Sequence, residues 1–314
     1  MEVWKANPKV LVKDSVLVKK KIQKLICDGS SQVHVVTDFD GTLSRSHING
    51  RRAKSSFCVV ESDPRILPED MREEYNARAE KYLAIENDPK LTREEKVPHM
   101  VQWWTSTYRS LLKAGITDEH LRDIARKGEI QLRRGALDML ELLEANAIPC
   151  LVFSAGLGEI VTYTLEQSDA LRPNVTVISN YFKFRDTPEG PKGEIPDDLL
   201  HTYNKNAQFP LARQYFATEK IRSRRNAILL GDSTGDSNMV DGAPGLSNED
   251  PFDDSRTPSN GGASTILKIG FLNSNTEKRL KTFLELFDVV LLDDQTMDVP
   301  LNLLRDIIAG NQTI

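Results

Sequence analysis

The sequence predicts an α/β protein, a parallel sheet flanked by helices and interrupted after one of its strands by a helical insert. Three observations carry that expectation. The run Val33-His34-Val35-Val36-Thr37 is short, apolar and β-branched, and it stops abruptly at Asp38-Phe39-Asp40-Gly41, as a buried strand ending in a loop does. Beyond Gly135, strand-length apolar runs alternate with helical periodicity, the pattern of a parallel sheet. Between the two, from Arg45 to Arg134, the chain is charged, helical in pattern and without strong strand signals. Residues 1–44 and 135–314 therefore read as an α/β core and 45–134 as an insert. A length of 314 residues suits a core of about 200 residues carrying a smaller insert.

The elements follow in order. Apolar positions from Val10 to Ile26, spaced around Lys19-Lys20-Lys21, predict one amphipathic helix with the lysines on a solvated face. In the insert, helices are expected over Pro68 to Glu86, Thr92 to Ala114 and Thr117 to Lys127, with Pro89-Lys90-Leu91-Thr92 as a turn and N-cap before the second. Then come a helix over Ala136 to Ala145, a buried strand from Ile148 to Phe153 stopping at Ser154-Ala155-Gly156, and a helix over Glu159 to Gln167. Strands follow at Val175–Ser179, Asn226–Leu230, Ile266–Leu272 and Val289–Leu292, with a closing helix over Val299 to Ile308. Asn248 to Ser264, rich in Asp, Ser, Pro, Gly and Asn, reads as a surface loop.

Composition narrows the function. A hydrophobic content of 39% allows a full core, while a net charge of -5 offers no general attraction for nucleic acid or a membrane surface. Any phosphorylated substrate then needs a local positive site. Cys27, Cys58 and Cys150 are far apart and odd in number, which points to a reducing compartment rather than a disulfide framework. No apolar segment is long enough to span a bilayer and the N-terminus shows no signal-peptide pattern, so a cytoplasmic location is expected.

The strand ends suggest a site. Asp38 and Asp40 stand two residues apart, and like charges so close require a cation between them or a proton on one. Both conditions suit phosphoryl chemistry, although Asp and Gly are also ordinary turn residues. Two further strands end in Ser154-Ala155 and in Gly231-Asp232-Ser233-Thr234-Gly235-Asp236, and ligands of parallel sheets bind beyond such ends. Asp232 or Asp236 can add an oxygen to a shared cation. Ser154 and the amides after it, expected to open a helix, can hold phosphate oxygens.

Taken together, these motifs resemble the haloacid-dehalogenase-like phosphohydrolases, and more closely the cytosolic 5'-nucleotidase III family, in its 7-methylguanosine-acting branch. The blocks that carry the resemblance are Thr-Asp-Phe-Asp-Gly-Thr-Leu-Ser-Arg, Ala-Ile-Glu-Asn-Asp-Pro, Met-Val-Gln-Trp-Trp-Thr, Phe-Ser-Ala-Gly-Leu-Gly, Tyr-Asn-Lys-Asn, Gly-Asp-Ser-Thr-Gly-Asp-Ser-Asn-Met-Val-Asp-Gly and Leu-Lys-Ile-Gly-Phe-Leu-Asn, spread over nearly the whole chain. The resemblance implies a Rossmann-like core with a helical cap that governs substrate choice. It also implies Asp38 as nucleophile, Asp40 as general acid and then base, and Lys205 as the cation that neutralises phosphate and nucleophile. Mg²⁺ is implied on Asp38, the backbone carbonyl of Asp40 and Asp232, with Asp236 in support. Phosphate-monoester hydrolysis needs enhancements up to ~10²¹, so these groups must act together.

For the substrate, the resemblance makes Glu86 the base-binding glutamate and sets Thr107 where a serine is usual. Trp103 and Trp104 are adjacent on a helix, so one is expected to be buried and the other, Trp104, to face the site. Trp at that second position resembles the 7-methylguanosine-acting branch, as do His99, Tyr203 and Asn204. N7-methylation makes the purine cationic, and a cation over an indole gains roughly 0.5 to 2 kcal/mol. Ser46 and Cys58 depart from the family pattern and remove a ring and a polar group from the expected pocket. The implied ligands are nucleoside monophosphates, with no nucleic acid or membrane partner, and a monomer is expected. Hydrolysis of 7-methylguanosine and pyrimidine monophosphates is what the resemblance implies; a pyrimidine-preferring 5'-nucleotidase or nucleoside phosphotransferase, and a non-catalytic binder of methylated cap nucleotides using Trp104 and Glu86, are the alternatives, and paired aspartates count against the binder.

Overall fold

The computed structural model describes residues 7–86, 88, 90–187, 190–247, 264–293 and 296–310. A short strand β1 (Val10–Val12) precedes helix α1 (Ser15–Asp28), whose N-terminal amides at Val16 and Leu17 donate to the Asp14 carboxylate. The single helix expected over Val10 to Ile26 is therefore two elements. Val10, Leu11 and Val12 pair antiparallel with Leu291, Val290 and Val289, a partner far along the chain that local periodicity cannot reveal.

Strand β2 (Val33–Thr37) leads into the insert, which opens with a hairpin of β3 (His47–Ile48) and β4 (Arg51–Arg52) and a short helix α2 (Ser56–Glu61). None of these three was anticipated. Helices α3 (Glu69–Glu86), α4 (Arg93–Lys113) and α5 (Asp118–Arg126) fall within a residue of expectation. Their starts are written locally: Thr92 with Glu95, and Thr117 with His120, form capping boxes. Pro89 of the expected turn lies outside the described residues.

The chain then alternates through α6 (Ala136–Ala145), β5 (Cys150–Leu157), α7 (Gly158–Gln167), β6 (Val175–Asn180), a hairpin of β7 (Lys183–Thr187) and β8 (Gly190–Glu194), α8 (Pro210–Ala217) and α9 (Glu219–Arg222). It ends through β9 (Asn226–Gly231), β10 (Thr265–Leu272), α10 (Thr276–Leu286), β11 (Val289–Leu292) and α11 (Asp298–Gly310). Of the polar stretch Asn248 to Ser264, only Ser264 is described.

The main sheet runs β1-β11-β10-β9-β2-β5-β6, parallel except for β1. Alternation along β2 sends Val33 and Val35 into one core, with α1, α6, α7 and α11, and Val36 into the other, with α8 and α10. The insert adds Tyr108, Leu111, Leu121 and Ile124 to the first of these cores, so its helices share hydrophobic packing with the sheet. Each such fully buried large side chain contributes about 1.5–3 kcal/mol. From β2 the chain proceeds outward through β5 and β6, and later returns to build β9, β10 and β11 on the other side. Strand order reverses beside β2, and a crevice opens there at the carboxyl ends of β5, β2 and β9.

Candidate active site

The loop after β2 holds its shape through distant residues. Asp38 is buried, and its amide extends the sheet by donating to the Leu230 carbonyl (2.9 Å). Gly41 turns the chain at φ 77°, and a Cβ there would sit 2.5 Å from Asp232 Oδ2, so both conformation and space require glycine. Arg133 donates to the carbonyls of Thr42 (2.7 Å) and Gly41 while its guanidinium covers Phe271 at 4.3 Å. Asn273 donates to Gly41 O (2.9 Å) and Asp232 Oδ2 (3.2 Å), tying the ends of β2 and β9 together.

Lys205 stands at the centre of the acids. Its ammonium donates to Asp38 Oδ1 (2.5 Å) and Asp236 Oδ1 (2.6 Å), all three side chains being buried. Burial disfavours the Lys205 charge, but Asp236 and Asp38 outweigh it and hold the ammonium protonated. Asp236 Oδ2 accepts from the amides of Asp232 (3.0 Å) and Ser233 (2.9 Å), which fixes it across the turn that follows β9. Oxygens of Asp38, Asp232 and Asp236 all come within 4.8 Å of one another. Burial raises the Asp38 carboxyl, as do Asp236 and Asp232, with Lys205 opposing; burial and Asp236 push Asp232 up to about 7.

Asp40 faces elsewhere. Its Oδ1 accepts from the Ser56 amide (2.8 Å) and its Oδ2 from the Ser56 hydroxyl (2.5 Å), both at the start of α2. Burial raises its carboxyl, with the Ser56 hydrogen bonds opposing. The two aspartates thus avoid each other by taking separate partners. A Cβ on Gly156 would lie 2.1 Å from Ser56 Oγ and 2.8 Å from Asp40 Oδ2, so β5 must pass bare at that point.

Ser154 and Ala155 line the same cavity, and the helix expected over Glu159 to Gln167 is present, but the amides directly after Ser154 belong to the strand and do not open that helix. Strand β5 continues to Leu157, with a break in register after Phe153, and α7 begins at Gly158. The Gly156 amide donates to Ser154 Oγ (3.1 Å) and the Leu157 amide to Ser56 Oγ (3.1 Å), so protein groups already occupy two of the amides expected for phosphate.

These groups floor a cavity of about 210 Å³ whose outer wall is aromatic: Phe57, Tyr75, Trp103 and Trp104, with Glu61 and Thr107 between them. The expectation of one buried and one facing tryptophan is corrected. Both are half-buried and both line the cavity, while the same helix sends Met100, Tyr108 and Leu111 inward as buried residues. Trp103 stacks on Tyr82 (5.6 Å, 13°), while Trp104 meets Phe57 edge-on (6.4 Å, 87°) and its Nε1 donates to Ala155 O (2.8 Å).

Glu86 stands apart from that wall. It lines a neighbouring cleft with Lys96, Lys278 and Arg279, and its Oε1 accepts from Thr202 Oγ1 (2.6 Å). The end of α3 sets it there: Lys96 (2.9 Å) and Tyr203 OH (3.1 Å) both donate to its backbone carbonyl. Asn204 shapes the turn before Lys205, accepting from the His201 amide (2.7 Å) and donating to Leu199 O (2.8 Å). Ser46 lines a third cleft beside Asp232 and Asn273. Ser56, Glu61, Tyr75, Arg133 and Asn273 escaped the sequence reading. For Ser56 a signal existed, since Ser55-Ser56 before the apolar Phe57-Cys58-Val59-Val60 is an N-cap pattern.

The sheet order, with the acid-lysine cluster at its switch point, gives the chain an α/β fold of the class the sequence predicts. A probable phosphoserine phosphatase from Vibrio cholerae shares this fold at a TM-score of 0.50 and 12% identity, over 91% of this chain and 68% of that one. The family profile described as pyrimidine 5'-nucleotidase (UMPH-1) matches residues 41–251 and 253–308, and the chain belongs to that family. It is 36% identical to a 7-methylguanosine phosphate-specific 5'-nucleotidase of Homo sapiens, over 95% of this chain and 94% of the relative. A Drosophila melanogaster protein of the same description is 34% identical over 93% and 85%. The crystal structure of cytosolic 5'-nucleotidase IIIB bound to cytidine matches at a TM-score of 0.82 and 32% identity, covering 98% of this chain and 97% of that one. The chain is a phosphoric monoester hydrolase of the 5'-nucleotidase kind. Among the described residues no helix is long and apolar enough to cross a membrane.

Proposed function

We propose that this chain is a Mg²⁺-dependent 5'-nucleotidase that cleaves 7-methylguanosine 5'-monophosphate, and pyrimidine monophosphates such as CMP and UMP, to nucleoside and phosphate. The observation that carries the reading is one cavity with Asp38, Asp40 and Lys205 at its floor and Trp103, Trp104 and Phe57 at its wall. Phosphate and base of a single nucleotide can be met at its two ends. The names of the relatives, and the cytidine bound to the similar structure, support the same substrates.

The acids fit a divalent ion. Three carboxylates, Asp38, Asp232 and Asp236, less the Lys205 charge leave two negative charges, and their hard oxygens suit Mg²⁺. Those residues would hold it, with the Asp40 carbonyl. Bound there, the ion would supply charge neutralisation to the phosphate.

The chain's own groups then divide the work. Asp38 attacks phosphorus as its P–O5' bond breaks, giving an aspartyl-phosphate. Asp40, whose carboxyl is raised by burial and oriented by Ser56, gives its proton to the departing O5'. In the second half Asp40 takes a proton from the water that attacks phosphorus, the bond to Asp38 breaks, and phosphate leaves with the nucleophile restored. Lys205 holds Asp38 in one rotamer and offsets charge on the phosphoryl oxygens. Residues 45–134 act as the cap that contributes the base wall.

A phosphate-release panel over 7-methylguanosine, cytidine, uridine, guanosine and adenosine monophosphates, with Mg²⁺ or with chelator, tests this. Release from the first three, lost with chelator, is expected. Undiminished release in chelator, or none from those three, would overturn it.

A further inference from the structure

Strand β6 ends in Ser179 and Asn180, beside the stretch of β5 where regular pairing lapses between Phe153 and Leu157. Side chains take over there from the ladder. Ser179 Oγ donates to the Gly156 carbonyl (3.0 Å) and Asn180 Nδ2 to the Ala155 carbonyl (3.0 Å). Irregularities of this kind re-aim side chains next to active sites, and this one lies where Ser154 meets the cavity. Asn180 also reaches a second segment. Its Oδ1 accepts from the Leu200 amide (2.7 Å) and its Nδ2 donates to the Leu200 carbonyl (2.7 Å), a two-point grip on the backbone of one residue. The residue is only 1% exposed, and its oxygen and both amide hydrogens are spent on backbone groups of these two segments.

Leu200 opens the segment that carries Lys205. From 199 to 206 the chain forms neither helix nor strand, so its course depends on side-chain hydrogen bonds such as those of Asn204 to His201 and Leu199. We propose that Asn180 is a positioning residue for phosphoryl transfer, fixing Leu200 to the end of β5 so that the Lys205 ammonium is delivered to the same phosphoryl group that Asp38 attacks. This rests on the nucleotidase reading above and adds a residue that does not line the cavity and acts through the backbone of another segment. The Ala155 carbonyl has Trp104 as a second donor, so the weight of the Asn180 grip falls on Leu200. A lysine side chain is long and freely rotating, and its ammonium is only as well placed as the backbone from which it springs.

The test is Asn180→Ala, which removes the side-chain amide and leaves the Tyr108 bond to the backbone carbonyl of that residue. With Mg²⁺ present, kcat is expected to fall about 10- to 100-fold on 7-methylguanosine monophosphate and on CMP alike, because the phosphoryl group is common to both. In a Lys205→Met background the same substitution is expected to cost under about threefold, since the group through which it acts is gone. Equal factors in the two backgrounds, as a general loss of stability would give, or a change confined to KM of one substrate, would overturn it. If Asn180→Ala is unfolded by thermal melting, Asn180→Ser, able to keep one hydrogen bond, carries the comparison and is expected to show a smaller loss in the same direction. In parallel, amide hydrogen exchange of peptides covering 199–206 is expected to quicken about tenfold or more in Asn180→Ala, with that of β9 unchanged. Unaltered exchange there overturns the assignment whatever the rates. Quickened exchange with a parental rate in Lys205→Met overturns instead the part given to Lys205 in the nucleotidase reading, and the positioning role with it, while the grip on Leu200 stands.

Discussion

The indole Nε1 of Trp104 donates a 2.8 Å hydrogen bond to the carbonyl of Ala155. One side chain thereby joins the helical insert to the strand end that carries Ser154. Asn180 Nδ2 also donates to that carbonyl (3.0 Å), so the strand end is clamped from both sides. Tyr108, one turn further along α4, repeats the join by donating to Asn180 O (3.1 Å). Hydrogen bonds therefore join the aromatic wall of the cavity to the strand end at its floor, and substitutions in the wall should register at the floor.

Trp104 can be separated into ring and N–H. Trp104→Phe removes the donor while keeping an aromatic face, and should cost about 1 kcal/mol of stability with a small rise in KM. Trp104→Ala also removes the face and should raise KM for 7-methylguanosine monophosphate roughly tenfold more than for CMP. Steady-state kinetics on both substrates, with melting curves, measure the two effects; equal KM changes would take the tryptophan out of selectivity.

Asp38→Asn keeps an oxygen for Lys205 but loses the carboxylate proposed as nucleophile. Phosphate release should drop by at least ~10³-fold while circular dichroism stays that of the parent. Turnover at the parental rate in this variant would reject covalent catalysis by Asp38.

Ser56→Ala leaves Asp40 the backbone donor but removes the hydroxyl at Asp40 Oδ2, and strips the Leu157 amide of its partner. We expect kcat to fall roughly tenfold on every substrate, and stability to fall by about 1–3 kcal/mol. A change confined to KM of one nucleotide would show that Ser56 acts on the base instead.

Glu159 supplies a pH signature away from the catalytic acids. It accepts from the Phe182 amide (2.7 Å) with its other oxygen unpaired, and burial pushes its carboxyl up to about 7. Because the folded chain holds this proton more tightly than the unfolded chain, the stability it contributes is fully present below the ordinary glutamate pKa. That stability is lost as pH rises from about 4.5 through about 7, by a few kcal/mol at ~1.4 kcal/mol per unit. Glu159→Gln should flatten that part of the melting profile. A profile of undiminished slope would show that Glu159 is ionised in the folded chain.

Much of this was legible from local pattern. Strand β2 and its terminal aspartates, the alternation after Gly135, and the Thr92 and Thr117 caps are short-range signals, because burial periodicity and capping act within a few residues. The amino-acid sequence by itself thus determined the α/β class, the order of most elements and the strand ends where Asp38, Ser154 and Asp232 converge. Tertiary structure alone decided who meets whom. Lys205 reaches Asp38 across 167 positions, Ser56 holds Asp40, β1 joins β11 instead of extending α1, and Glu61 rather than Glu86 shares a cavity with Trp104. Such pairings follow from how helices pack on the sheet and from which buried charge must find which partner, and no local window of sequence contains both halves of that choice.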